Sequence, residues 1–102
     1  KGAALKDFVH APPRLTKPRY RAAGASDFQD ITWEEALDKI ARAMKDDRDA
    51  NFIQANEAGV PVNRWTTTGM LAASASPNET GYITHKVMRS MGMLVFDNQA
   101  RV

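Results

Sequence analysis

The sequence predicts an α/β fold: an incomplete open three-layer fragment with a βαβ unit, preceded by an extended basic arm. Three observations carry that expectation. A capped helix start with a long apolar stripe begins at Thr32. The order strand, small-residue loop, helix, strand follows between Thr66 and Phe96. Upstream of both, Pro12, Pro13 and Pro18 break the amino-terminal segment.

Residues 1–31 read as an arm. Leu5-Lys6-Asp7-Phe8-Val9 has the spacing of one helical turn, and the prolines after it each remove a backbone donor and bias the preceding residue away from helix. Arg14, Lys17, Arg19 and Arg21 make the arm basic. A solvated basic loop and an arm wrapping an anionic group or a neighbouring domain both fit that pattern. Residues 32–102 read as a partial α/β domain. Thr32-Trp33-Glu34-Glu35 is a capping box, with the Thr32 hydroxyl placed for the Glu35 amide and the Glu35 carboxylate for the Thr32 amide. Trp33, Leu37, Ile40, Ala41 and Met44 follow as one helical stripe. The Glu34–Glu35 pair is therefore capping chemistry and not a catalytic dyad. Helix is expected to resume through Phe52 and Ile53 and to stop at Gly59.

Beyond Gly59, Thr66-Thr67-Thr68 suits a strand. Gly69 opens a loop of small residues running through Ala72, Ala73, Ser74, Ala75 and Ser76. Pro77 precedes a second helix with Tyr82, Ile83, Val87, Met88 and Met91 on one stripe. Gly92 ends it, and Met93-Leu94-Val95-Phe96 reads as a strand buried on both faces. Strand, helix, strand in this order implies a parallel pair with a right-handed crossover.

At 102 residues, with 43% hydrophobic and 25% charged residues, the chain is of ordinary globular composition and at most one small domain. Fourteen basic residues nearly balance 12 acidic ones, so the net charge of +2 argues against nucleic acid as the partner. Zero cysteines exclude disulfides, thiolate metal sites, iron–sulfur ligation and cysteine nucleophiles within the chain. No apolar run approaches membrane-spanning length. His10 and His85 have no metal-ligand spacing, and the five methionines read as core filler.

In open α/β sheets ligands bind beyond the carboxyl ends of the strands. Here those ends are the Gly69–Asn78 loop and the tail from Asn98. The loop feeds a helix amino terminus, whose free amides and dipole favour phosphate, and its small side chains admit close approach of a ligand. It has neither a dinucleotide glycine fingerprint nor a P-loop lysine, and a purely structural connection fits it equally well. Asn78-Glu79-Thr80 matches a glycosylation sequon, yet its place at a helix start suits a cap better.

The same residues resemble a known family over the whole chain. Lys1-Gly2 is similar to the residues after the last cysteine ligand of an amino-terminal [4Fe–4S] cluster, and Arg14 to Arg21 to the arm leaving that cluster domain. Ile31-Thr32-Trp33-Glu34-Glu35-Ala36, Val62-Asn63-Arg64-Trp65, Thr68-Gly69-Met70 and Asn78-Glu79-Thr80-Gly81 follow in the family's order. Asp97-Asn98-Gln99-Ala100-Arg101-Val102 resembles the segment directly before the metal-binding selenocysteine. The family is that of the catalytic subunits of selenocysteine-containing formate dehydrogenases, in the molybdopterin oxidoreductase (dimethyl sulfoxide reductase) superfamily.

The resemblance implies formate oxidation to carbon dioxide at molybdenum or tungsten, held by two pterin guanine dinucleotides, with electrons leaving through the [4Fe–4S] cluster. It implies as partners an iron–sulfur electron-transfer subunit and a cytochrome subunit, and a periplasmic location. It assigns Lys1 to the space between cluster and pterin, Gly69, Asn78 and Glu79 to a pterin-binding loop, and Arg101 and Val102 to presentation of the selenocysteine. Selenocysteine is encoded by UGA, so the expectation is a fragment ending just before it, inactive alone, binding no cofactor by itself and prone to self-association. The alternatives are a small phosphate- or nucleotide-binding α/β module using the Gly69–Asn78 loop, and an interaction domain using residues 14–21.

Overall fold

The structure, a computed structural model, describes residues 2–99. Helices and short strands are mixed in two compact units, one ending at Ala41 and one starting at Arg42. In the first unit a single turn at Gly2–Ala4 leads into α1 (Leu5–Val9), closed where the His10 amide donates to the Lys6 carbonyl at 3.1 Å. The helical turn expected at Leu5–Val9 is there. The basic stretch after it is not simply extended: β1 (Arg19–Tyr20) pairs antiparallel with β2 (Gln29–Asp30), Arg19 opposite Asp30. The Arg19 and Arg21 guanidinium groups lie 5.7 and 5.4 Å from the centre of the Phe28 ring, and the Arg19 Nε–Asp30 contact is 3.5 Å. Two of the arm's cations therefore hold its own turn closed.

Helix α2 (Trp33–Asn51) starts in this unit and ends in the second. The Glu35 amide donates to Thr32 Oγ1 at 3.1 Å, as the capping box requires, while the Glu35 carboxylate pairs with Lys39 at 3.6 Å. Ala36 is buried, whereas Trp33, Leu37 and Ile40 of the apolar stripe are exposed.

The second unit contains β3 (Ile53–Ala55), β4 (Pro61–Arg64), β5 (Met70–Ala72), α3 (Asn78–Ser90) and β6 (Phe96–Asn98). Strands β3 and β4 form an irregular antiparallel hairpin, Ile53 opposite Arg64 and Ala55 opposite Pro61, with Asn63 at φ 43° absorbing the irregularity. Strands β5 and β6 run parallel on either side of α3, Met70 opposite Phe96 and Ala72 opposite Asn98. A Trp65–Met93 bridge extends that parallel pairing upstream. Trp65 and Met93 are the largest fully buried side chains, and they form the centre of the unit.

The βαβ order is as expected, with its boundaries displaced for identifiable reasons. Helix does not resume through Phe52 and Ile53. Asn56 Oδ1 accepts the amides of Ala58 and Val60, the Asn56 amide donates to the Val60 carbonyl, and Gly59 sits at φ 77°, so Gly59 closes a hairpin turn instead of a helix. Thr66-Thr67-Thr68 is not a strand, because the Thr67 and Thr68 hydroxyls bond a carboxylate on α2 and bend the chain. In Met93-Leu94-Val95-Phe96 only Met93 is buried, and the regular ladder starts at Phe96. Gly69 explains the delay. A Cβ built there would lie 2.7 Å from Val95 Cγ1, so the two backbones meet too closely at this point for a side chain on position 69. Asn78 is not the cap of α3. Pro77 holds that position, and no side chain bonds the first turn.

Candidate functional site

The carboxyl ends of β5 and β6 and the start of α3 enclose an open cleft of about 610 Å³. Its floor is β5 (Met70, Leu71, Ala72) with Phe96 and Asn98 of β6, and its far wall is the first turns of α3 (Asn78, Thr80, Gly81, Tyr82, Thr84). Ala73, Ser74, Ser76 and Pro77 form the connecting lip. The local causes are plain in the sequence. Small residues after Ala72 keep the lip thin, and Pro77 starts the helix without donating an amide of its own. The Gln99 amide donates to the Ala72 carbonyl at 3.2 Å, which holds the two strand ends together at the mouth.

The lining mixes polar and apolar groups, and the free amino terminus of α3 is its feature that favours negative charge. The amides of the first turn of α3 have no side-chain cap, and hydroxyls of Ser74, Ser76, Thr80 and Thr84 line the opening with the amides of Asn78 and Asn98. Glu79 stands in the same first turn but does not line the cleft. Among the described residues no lysine or arginine lines it. Among the described residues no cluster of His, Cys, Asp or Glu can hold a metal ion, and no helix is long and apolar enough to cross a membrane.

Beneath the cleft the connections are tied to α2. Asp47 Oδ2 accepts the indole N–H of Trp65 at 2.8 Å and the hydroxyls of Thr67 at 2.6 Å and Thr68 at 2.7 Å. Asn51 Nδ2 donates to the other oxygen at 3.0 Å. The Thr67 and Thr68 hydroxyls, then the Trp65 indole, hold the Asp47 carboxyl below its ordinary value. The next residue, Arg48, donates from Nε to the Met91 carbonyl at 2.8 Å, and its guanidinium lies 4.3 Å from the centre of the Phe52 ring. Gly92 follows at φ 88°, against the Asn63 carbonyl and that same Phe52 ring.

Of the residues picked from the sequence, Asn78 lines the cleft, Glu79 stands between the lining residues Asn78 and Thr80 without lining it, and Gly69 is the close strand contact with Val95. Lys1, Arg101 and Val102 lie outside the described residues. Ser74, Ser76, Thr80, Tyr82, Phe96 and Asn98 also belong to the lining. Their signal was the convergence of loop and tail at two parallel strand ends, a rule that selects whole segments and not only the most conspicuous residues. The Asp47 hub had no such signal, since an aspartate in the middle of an amphipathic helix reads as a solvated one.

Comparison with known proteins defines the lineage. The chain is 62% identical over all 102 residues to the formate dehydrogenase-O major subunit of Escherichia coli (strain K12), covering 10% of that protein. It is 47% identical over 100 residues, 98% of the chain and 10% of the relative, to the formate dehydrogenase major subunit of Haemophilus influenzae. To formate dehydrogenase 2 subunit alpha (cytochrome c-553) of Nitratidesulfovibrio vulgaris it is 41% identical over 102 residues, again 10% of the relative. The chain thus spans about a tenth of the length of the curated relatives it matches. The profile of the molybdopterin oxidoreductases matches residues 14–101, which takes in the hairpin of the first unit, the whole cleft and its α2 support, and the chain belongs to that family.

Proposed function

We propose that the chain is a segment of the catalytic subunit of a formate dehydrogenase, and that the β5–α3–β6 cleft is one wall of its pterin dinucleotide site. The observation that carries this reading is the position of the cleft. It lies at the ends of a parallel strand pair, ahead of an uncapped helix terminus, inside a stretch 62% identical to a formate dehydrogenase major subunit. A molybdenum– or tungsten–pterin centre held there would supply the acceptor for the two electrons that formate gives up, together with one proton, on becoming carbon dioxide. The chain's own part is to bind and orient. The first-turn amides of α3, with the side chains of Asn78 and Thr80 and the hydroxyls of Ser74 and Ser76, meet the polar edge of a pterin or its diphosphate. Gly69 supports the wall from behind by letting the strand approach Val95.

In the same reading β5 and β6 belong to a larger open three-layer sheet completed by the rest of the polypeptide, and residues 1–31 are the arm leaving an iron–sulfur domain. Lys1 is the cation between [4Fe–4S] cluster and pterin, Glu79 stands at the rim of the pterin loop, and Arg101 and Val102 present a selenocysteine ligand. The partners are an iron–sulfur electron-transfer subunit and a cytochrome subunit, in the periplasm. Among the described residues the cleft lining holds no lysine or arginine, which fits a wall completed by more polypeptide. The same lining also counts against the second reading, a free-standing nucleotide-binding module, which the uncapped start of α3 alone would favour.

The test is production of the full-length polypeptide with formate-dependent dye reduction, metal and guanine nucleotide measured on the same sample. Activity with bound guanine nucleotide is expected. Full-length protein without pterin or metal, or a codon after Val102 other than UGA with no family sequence following in frame, overturns the reading. Tight binding of guanosine diphosphate by the 102-residue chain alone would favour the module.

A further inference from the structure

We infer that Asp47 is a positioning residue for the cleft: with Arg48 it clamps the β5–α3–β6 unit at both of its connections and sets the opening that the bound group must fit. This rests on the pterin-site reading above. The geometry is a pair of consecutive side chains on α2 reaching two different points of the unit. Asp47 takes the 65–68 segment that delivers the chain to β5, through Trp65, Thr67 and Thr68. Arg48 takes the Met91 carbonyl, where α3 ends and the chain turns toward β6.

Between these points the two strands touch directly. The Trp65 amide donates to Gly92 at 2.7 Å, the Met70 amide to Val95 at 2.8 Å, and Gln99 to Ala72 at the mouth. The approach at Gly69 is close: a Cβ there would lie 2.7 Å from Val95 Cγ1 and 3.0 Å from the Val95 carbonyl oxygen. A shift of the 65–68 segment is therefore passed along β5 to Leu71 and Ala72, which floor the cleft. Asp47 does this with charge. One carboxylate oxygen accepts three donors, and the other accepts Asn51 Nδ2; a neutral amide in its place keeps one acceptor oxygen for the three but loses the charge and turns a donor toward the Asn51 amide. Charge-assisted bonds are stronger than neutral ones, so the arrangement favours one position of the segment. None of the clamp residues Asp47, Arg48, Trp65, Thr67 and Thr68 lines the cleft itself, so the effect acts through the strands.

The experiment uses the full-length polypeptide in four forms: wild type, Asp47→Asn, Asp47→Glu and the double variant Thr67→Val/Thr68→Val. Three quantities are read: guanine nucleotide retained per polypeptide over time after dialysis, the unfolding midpoint, and amide hydrogen exchange at Met70 and Gln99. Partners that hold a metal ligand in place typically contribute about 10–100-fold to metal affinity or activity, and that order is carried over to this cleft. We expect nucleotide loss from Asp47→Asn and from the double valine variant to be faster by about tenfold or more on the same scale. The unfolding midpoint should fall only slightly and out of proportion to the loss of nucleotide, the Met70 and Gln99 amides should exchange faster, and Asp47→Glu should restore most of the retention. Wild-type retention and exchange in Asp47→Asn overturn the inference. So does loss of nucleotide in step with a lowered midpoint that Asp47→Glu fails to rescue, which would make the hub a scaffold contact only. If the wild type carries no guanine nucleotide, the pterin reading fails instead, and the exchange at Met70 and Gln99 still decides whether Asp47 sets the strand position.

Discussion

Replacing Trp65 with alanine tests the central claim about how the second unit is held. Trp65 is fully buried, with 0% of its surface exposed, between the strand bridge to Met93 and the carboxylate of Asp47. A tryptophan buries about 150–250 Å², which at about 25 cal/mol per Å² amounts to roughly 4–6 kcal/mol of burial. Truncation to alanine keeps the backbone and the Cβ, so the expected loss is about 3–5 kcal/mol, including the cavity left behind. Domains of this size are stable by about 5–15 kcal/mol, so the variant loses a third or more of its stability if the chain lies at the lower half of that range. Urea titration of the 102-residue chain, followed by far-ultraviolet circular dichroism, reads the change as a shift in midpoint at unchanged slope. Trp65→Phe should fall between wild type and alanine, because it keeps most of the apolar contact and loses the indole N–H. A loss under about 1 kcal/mol for Trp65→Ala, within the range of ordinary surface changes, would refute the assignment of Trp65 as the core of this unit.

Gly92→Ala should cost more than Gly59→Ala: both positions have positive φ, at about 1–2 kcal/mol each for an L side chain, but only at Gly92 would the new Cβ meet the Asn63 carbonyl and Phe52. Equal losses in urea titration would show that the packing at Gly92 is soft. The Asp47 carboxyl lies below its ordinary value of 3.8, so its contribution to stability is complete above that value and is lost as pH falls through the lowered one. Stability measured from pH 6 downward should therefore decline less steeply in Asp47→Asn, and parallel acid limbs would refute the role of its three donors. The 102-residue chain should show no formate-dependent dye reduction, since it has no cysteine and its described residues hold no metal cluster. It should also self-associate through the exposed faces of α2 and α3, and a strictly monomeric, folded species in light scattering at high concentration would refute that.

The order of elements was legible because it depends on local signals. Thr32 with Glu35 marks a helix start through one hydrogen bond, and that bond is present. Gly92 marks the end of α3 through its positive φ. The errors come where a side chain takes over the backbone's or a neighbour's hydrogen bonds, locally at Asn56 and across 20 residues at Asp47. Phe52-Ile53 continues a helical stripe as well as it starts a strand, and Asn56 settles the matter by closing the turn back to β4. The three threonines have strand propensity, yet Asp47, 20 and 21 residues before Thr67 and Thr68, takes two of their hydroxyls. The site was legible as a place and less so as a residue set. Convergence of two strand ends gave the cleft and Asn78, while Gly69, chosen for the freedom of its backbone, proved to serve strand contact.

The distribution of apolar side chains explains why the cleft and its clamp belong together. The described core is small, with Ala36, Trp65 and Met93 its buried apolar residues, while Leu71 is 75% exposed on the strand that floors the cleft and Tyr82 is 64% exposed on its wall. Three-residue strands paired two by two are marginal by themselves, because stable sheets need three or more strands or a packed helix. A cleft built on such a pair keeps its shape only if something other than sheet propagation fixes the strands. Hydrogen bonds from one helix supply that restraint here: Asp47 at one connection and Arg48 at the other act on backbone segments too short to hold their own register. Polar contacts that restrain the ends also leave the apolar faces of β5 and α3 free to be covered by further polypeptide. Hydrophobic burial at the same points would have consumed those faces and closed the opening.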